Sequence, residues 1–133
     1  KDKLNNLLNI LEKEKFRQPK DGVVYLSPST CLDFRLHEIR RRDLVFSLSS
    51  TELRILKALY SQLGSVYPTM DLIDTVWGDS HVGLDNLYVY IRRIREKIED
   101  DPKNPRFLIT HHGHGYELRT YEIQKKENKN YHY

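Results

Sequence analysis

The spacing of apolar residues changes period twice along this chain, and those two changes leave few folds open. Val23-Val24-Tyr25-Leu26 suits one strand, and Leu32, Phe34 and Leu36 then alternate with Cys31, Asp33 and Arg35. Leu44, Phe46 and Leu48 repeat the alternation after a polar break at Arg40-Arg41-Arg42-Asp43. From Leu53 to Ile98 the apolar residues instead recur every three or four positions, and from Phe107 to Leu118 the shorter period returns. A period of two marks strands and a period of 3.6 marks helices, so the order is sheet, helices, hairpin.

The helical part carries its own punctuation. Ser49 and Glu52 form a Ser-x-x-Glu capping box ahead of Leu53, Leu56, Leu59, Tyr60 and Leu63, and Gly64 is a natural stop. Thr69 is positioned to cap a second, shorter helix bearing Leu72, Ile73, Val76 and Trp77, ended by Gly78. Asp85 is positioned to cap a third, striped by Leu87, Ile91, Ile94 and Ile98 and stopped by Pro102 and Pro105. Phe107-Leu108-Ile109-Thr110, a turn at His112-Gly113-His114-Gly115, and Tyr116-Glu117-Leu118 form a hairpin signal. The expected fold is α+β: a winged helix-turn-helix with a small N-terminal antiparallel sheet, three helices and a C-terminal β-hairpin wing.

Three segments follow. Residues 1–22 read as an amphipathic helix, with Leu4, Leu7, Leu8 and Leu11 on one face, followed by a linker at Pro19 to Gly22. This helix suits either the end of a preceding domain or a dimerisation element. Residues 23–119 form the main domain, and residues 120–133 a polar tail. The chain does not begin with Met, which reads as a piece of a longer protein.

Composition narrows the function. One cysteine, Cys31, excludes an internal disulfide, and its place in a strand suits a small packed side chain. No run approaches the roughly 18 apolar residues of a membrane span, and the polar N-terminus carries no secretory signal, so the expected setting is cytoplasmic. No nucleophile with an ordered base, no paired-carboxylate frame and no phosphate loop is found. Gly113-x-Gly115 lacks the third glycine and following helix of a dinucleotide site. No enzymatic activity and no cofactor are expected.

The net charge of +3 identifies no partner by itself, but the distribution of charge does. On a wheel at 100° per residue, Ile91, Ile94 and Ile98 all fall within about 40° of Leu87, which makes that face core. Asn86, Val89, Tyr90, Arg93 and Lys97 then share an outward arc, flanked by Arg92 and Arg95. A helix in the major groove needs this mixture: arginine grips guanine O6 and N7, valine meets a thymine methyl, and asparagine or tyrosine reaches base edges or phosphate. The same charges also suit a plainly solvated face, with Glu96 and Glu99 pairing Arg92 and Arg95 at helical spacing.

Leu48-Ser49-Ser50-Thr51-Glu52-Leu53, Val76-Trp77-Gly78, Val89-Tyr90-Ile91-Arg92-Arg93-Ile94-Arg95, Asp101-Pro102 and Gly113-His114-Gly115-Tyr116 fall in an order and at spacings that resemble the effector domain of OmpR/PhoB-type response regulators. The resemblance covers residues 23–119. It implies a bacterial two-component transcription regulator whose third helix enters the major groove of double-stranded DNA while the wing touches the minor groove. It further implies pairing of two copies on DNA and contact with RNA polymerase. By position, Arg93, Val89 and Tyr90 would face bases, and Asn86, Arg92, Arg95, Trp77, Thr110 and Tyr116 would lie near the backbone. His112 takes the wing-tip place where the family often has arginine.

Asp85 stands where a phosphate-contacting arginine is common, and the segment from Gly78 to Leu84 is slightly short. Asp85 and the small net charge keep a module that binds protein, RNA polymerase or another regulator, open as the alternative function. A metal-responsive regulator using His111, His112 and His114, with His81 as a fourth ligand, is a further alternative, although adjacent strand residues point to opposite faces.

Overall fold

The computed structural model describes residues 21–78 and 83–124. The N-terminal helix expected at residues 1–18, His81 and the tail beyond residue 124 lie outside the described residues. The first sheet is an antiparallel meander in the order β1 (Val23–Ser27), β2 (Thr30–Asp33), β3 (Glu38–Arg41) and β4 (Leu44–Ser47). Val24, Leu32, Ile39 and Phe46 stand in register across it, and with Leu26 they supply its core face.

Two features of this sheet depart from the apolar pattern. The strand expected to run through Phe34 and Leu36 stops at Asp33. That carboxylate accepts the backbone N–H groups of Arg35 and Leu36, both at 2.9 Å, and turns the chain. Of the stretch expected as a polar break, Arg40 and Arg41 belong instead to β3, and only Arg42 and Asp43 form the turn. The β3 arginines find partners in the folded chain: Arg40 Nη2 donates to Asp33 Oδ2 at 2.9 Å, and Arg41 Nε donates to the Lys97 carbonyl at 3.2 Å. The turn is shorter than expected, with Arg42 at φ 57° just before β4.

Helix α1 (Ser50–Ser61) starts at the expected capping box. Ser49 Oγ accepts the Glu52 N–H, and Glu52 Oε1 accepts the Ser49 N–H at 2.8 Å. Such a cap contributes about 1 kcal/mol. Helix α2 (Thr69–Trp77) and helix α3 (Leu84–Ile98) carry the expected stripes, but their caps differ from expectation. Pro68 and Gly83 hold the N-cap positions, so Thr69 and Asp85 sit inside the first turns and cap nothing. Asp85 still places an anion at the positive end of the α3 dipole.

A two-residue strand β5 (Tyr67–Pro68), which the apolar pattern did not reveal, joins the hairpin of β6 (Leu108–His111) and β7 (Gly115–Leu118) in a second sheet ordered β5-β7-β6. Gly115 permits it: a Cβ there would lie 1.9 Å from the Tyr67 carbonyl oxygen. Leu56, Leu59, Leu72, Leu87, Ile94, Leu108 and Leu118 bury themselves between the two sheets and the helices.

Glu99 closes the connection between α3 and the hairpin. Its buried carboxylate accepts the N–H groups of Arg106, Phe107 and Leu108. Burial pushes the Glu99 carboxyl above its usual value, against those bonds and nearby Arg95.

Candidate nucleic-acid interface

Helix α3 divides as its periodicity dictates. Leu87, Ile91, Ile94 and Ile98 are buried, whereas Asn86, Val89, Arg92 and Arg93 face solvent, with Val89 45% exposed. Val89 is thus apolar surface beside Arg93 on the exposed side of the helix.

The three arginines of α3 take three different positions. Arg92 is widely open, its side chain 82% exposed, and it pairs with Glu96 at 3.4 Å. An exposed pair of this kind contributes little and releases its arginine readily. Arg93 lies with its guanidinium 5.4 Å from the centre of the Tyr90 ring, and that ring lies 5.8 Å from Trp77 at the end of α2. Arg95 points to the hairpin, donating to the Leu108 carbonyl at 3.0 and 2.9 Å and to Thr110 Oγ1 at 2.7 Å. Burial lowers its guanidinium from the usual value, although arginine stays charged.

Lys97 leaves the outward arc on which the wheel placed it. Its ammonium donates to the Ser47 carbonyl at 2.7 Å and to Glu52 Oε1 at 2.8 Å. The reason is electrostatic: Glu52 is buried at the start of α1 and needs a cation, which the long lysine stem delivers.

The hairpin and α3 face each other across a groove lined by Tyr88, Arg92, Arg95, Thr110, His112 and Tyr116. His112 is exposed at the turn, beside Gly113 at φ 78°. Tyr116 is buried, and burial raises its hydroxyl above the usual value. The turn is tied to α2 as well, because the Thr69 N–H donates to the His114 carbonyl at 3.2 Å. Tyr88, 52% exposed on the groove wall, was missed by the reading of the sequence. The wheel held the signal, since it falls between Arg95 and Arg92.

Of the expected site residues, Asn86, Val89, Tyr90, Arg92, Arg93 and Trp77 gather along the outer side of α3 and the end of α2. Arg95, Thr110, Tyr116 and His112 gather at the groove, and Lys97 stands apart from both. Among the wing histidines, His111 Nε2 pairs with Glu117 Oε1 at 2.7 Å. Among the described residues no three His, Cys, Asp or Glu side chains come together as a metal set, and no helix is long and apolar enough to cross a membrane.

Residues 43–118 match the family model described as transcriptional regulatory protein, C terminal. The fold is similar to that of the response regulator DrrB of Thermotoga maritima, an OmpR/PhoB homologue, at 27% identity and a TM-score of 0.67. That match covers 86% of this chain and 52% of DrrB, so the chain spans about half of that relative's length. The C-terminal effector domain of BfmR from Acinetobacter baumannii is 26% identical with a TM-score of 0.60, covering 74% of this chain and 91% of the domain. The Klebsiella pneumoniae RstA DNA-binding domain, solved in complex with the RstA box, shares the fold at 21% identity and a TM-score of 0.60, covering 73% of this chain and 96% of that domain.

Proposed function

The chain belongs to the family of transcriptional regulatory protein C-terminal domains, the DNA-binding domains of OmpR/PhoB response regulators, and from that premise we propose that it reads double-stranded DNA with α3 in the major groove and the hairpin wing in the adjacent minor groove. One observation carries this reading. The exposed side of α3 combines Arg93, Val89 and Asn86, and the groove beside it is walled by Arg92, Arg95 and the wing. The first set suits base edges and the second suits a phosphate backbone passing between helix and wing.

In this reading Arg93 and Val89 supply discrimination, and Arg92 and the groove supply affinity through phosphate. Arg95 and Tyr116 act mainly by holding the groove's shape, since both are committed to contacts inside the protein. The DNA-reading unit runs from Val23 to about Leu118, the span of the two sheets and three helices. Pairing of two copies on repeated half-sites and contact with RNA polymerase complete the reading, as the family membership suggests.

Asp85, exposed in the first turn of α3, favours the second reading, a module that binds protein. One experiment separates the two: selection from a randomised duplex pool, followed by binding across a salt series. Enrichment of a motif with affinity falling steeply as salt rises supports the DNA reader. No enrichment and a shallow slope supports the protein partner.

A further inference from the structure

Trp77, Tyr90 and Arg93 form a continuous stack from one helix to the next. Trp77 closes α2, and its ring meets that of Tyr90 at 5.8 Å between centroids and 48° between planes. The Arg93 guanidinium lies over the same tyrosine ring, 5.4 Å from its centre. Both distances fall in the range where aromatic pairs and cation–π contacts attract. Among the described residues, Arg93 makes no ion pair, while Arg92 pairs loosely with Glu96 and Arg95 is held by the hairpin.

An arginine side chain free to rotate gives up several torsions when it grips a base, and that ordering weakens the contact it makes. A guanidinium already laid on an aromatic face has surrendered part of that freedom. The tyrosine underneath is itself fixed, being half-buried against Trp77 and the core.

We infer that Tyr90 is a positioning residue for base readout: stacked on Trp77, it holds the Arg93 guanidinium on its ring in a preset orientation and touches no phosphate through its hydroxyl. This rests on the DNA-reading function above and deepens it, by assigning the specificity of Arg93 to a neighbouring ring. The working part of Tyr90 is then its π face, so phenylalanine should replace it and an aliphatic residue should not.

The test uses the full chain and the duplex motif enriched from the randomised pool. The readout is the affinity ratio between that motif and a duplex changed at the one base pair whose preference Arg93→Ala removes. Tyr90→Phe is expected to keep the ratio. Tyr90→Leu, which keeps apolar bulk on Trp77, is expected to lower it about two- to fivefold, the worth of an exposed cation–π contact. The salt dependence of binding stays the same in both variants, because no phosphate contact is lost.

A Tyr90→Phe variant that loses affinity for every duplex with a shallower salt dependence would overturn the inference, since the hydroxyl would then be meeting the backbone. An undiminished ratio in Tyr90→Leu would overturn it too. Failure of the underlying function looks different: the wild-type protein itself would enrich no motif.

Discussion

Arg95 holds the Leu108 carbonyl with two nitrogens, Nε at 3.0 Å and Nη2 at 2.9 Å, and so fastens the third helix to the first strand of the wing. The same Nη2 reaches Thr110 Oγ1 at 2.7 Å. An arginine whose position in the sequence suggested a backbone contact to DNA is thus a strut between the two elements that flank the groove.

Removing that strut has a cost that removing its exposed neighbour does not. Arg95→Ala strips a carbonyl and a hydroxyl of a charged donor in a half-buried place, and should destabilise the fold by about 1–3 kcal/mol. Arg92→Ala breaks only an exposed pair with Glu96 and should change stability by less than about 0.5 kcal/mol. Urea unfolding of the two variants checks the contrast. Equal losses would mean that the Arg95 bonds carry no weight.

The approach of β5 to β7 depends on a missing side chain. A Cβ at Gly115 would lie 1.9 Å from the Tyr67 carbonyl oxygen and 2.8 Å from its carbon, both backbone atoms. Gly115→Ala must therefore separate the strands, and a loss of about 2–4 kcal/mol is expected. Gly113 has nothing within 4 Å of its Cβ position but lies at φ 78°. Gly113→Ala should cost about 1–2 kcal/mol, from the left-handed backbone alone. Thermal denaturation of the two variants gives the order.

Acid should weaken the protein through Glu52. Burial pushes its carboxyl up, but hydrogen bonds from Lys97 and Ser49 outweigh burial and leave it below the usual 4.5. The folded state then binds this proton less tightly than the unfolded chain does. The contribution is full above pH 4.5 and is lost as pH falls through the lowered value. Glu52→Gln is expected to be less stable than wild type at neutral pH and to lose less on acidification. Urea unfolding at neutral and acid pH measures this, and parallel pH profiles would contradict the assignment.

Much of this fold was legible because its apolar stripes are uninterrupted. Leu87, Ile91, Ile94 and Ile98 could only be one buried face, and the Ser49–Glu52 box marked a helix start within the local chain. Strand β3 was hidden because two consecutive arginines, Arg40 and Arg41, fill its second half, and what lets them do so is Asp33 and the Lys97 carbonyl, partners that only the folded chain supplies. Strand β5 is two residues long, one of them proline, and falls below any periodic signal. Thr69 and Asp85 have the chemistry of caps, yet Pro68 and Gly83 take the extended backbone that precedes each helix. The site shows the same division. A wheel places Lys97 on the outward arc and Arg95 at its flank, whereas where their charged ends go depends on Glu52 and Leu108, far away in the sequence.

The wing tip offers a gain-of-function check. His112 is exposed at the turn, where an arginine would add a permanent charge. His112→Arg is expected to tighten DNA binding and to steepen its salt dependence by about one unit, as one more phosphate contact does. An unchanged slope would place the wing away from the DNA.

In the proposed function the outward side of α3 reads bases through Arg93. The direct measurement is selection from a randomised duplex pool with the wild-type protein and with Arg93→Ala, sequencing both bound fractions. The variant is expected to lose preference at one base pair of the enriched motif, with a cost of about 1–3 kcal/mol there and the other positions retained. Uniform weakening across all sequences, with every preference intact, would contradict it.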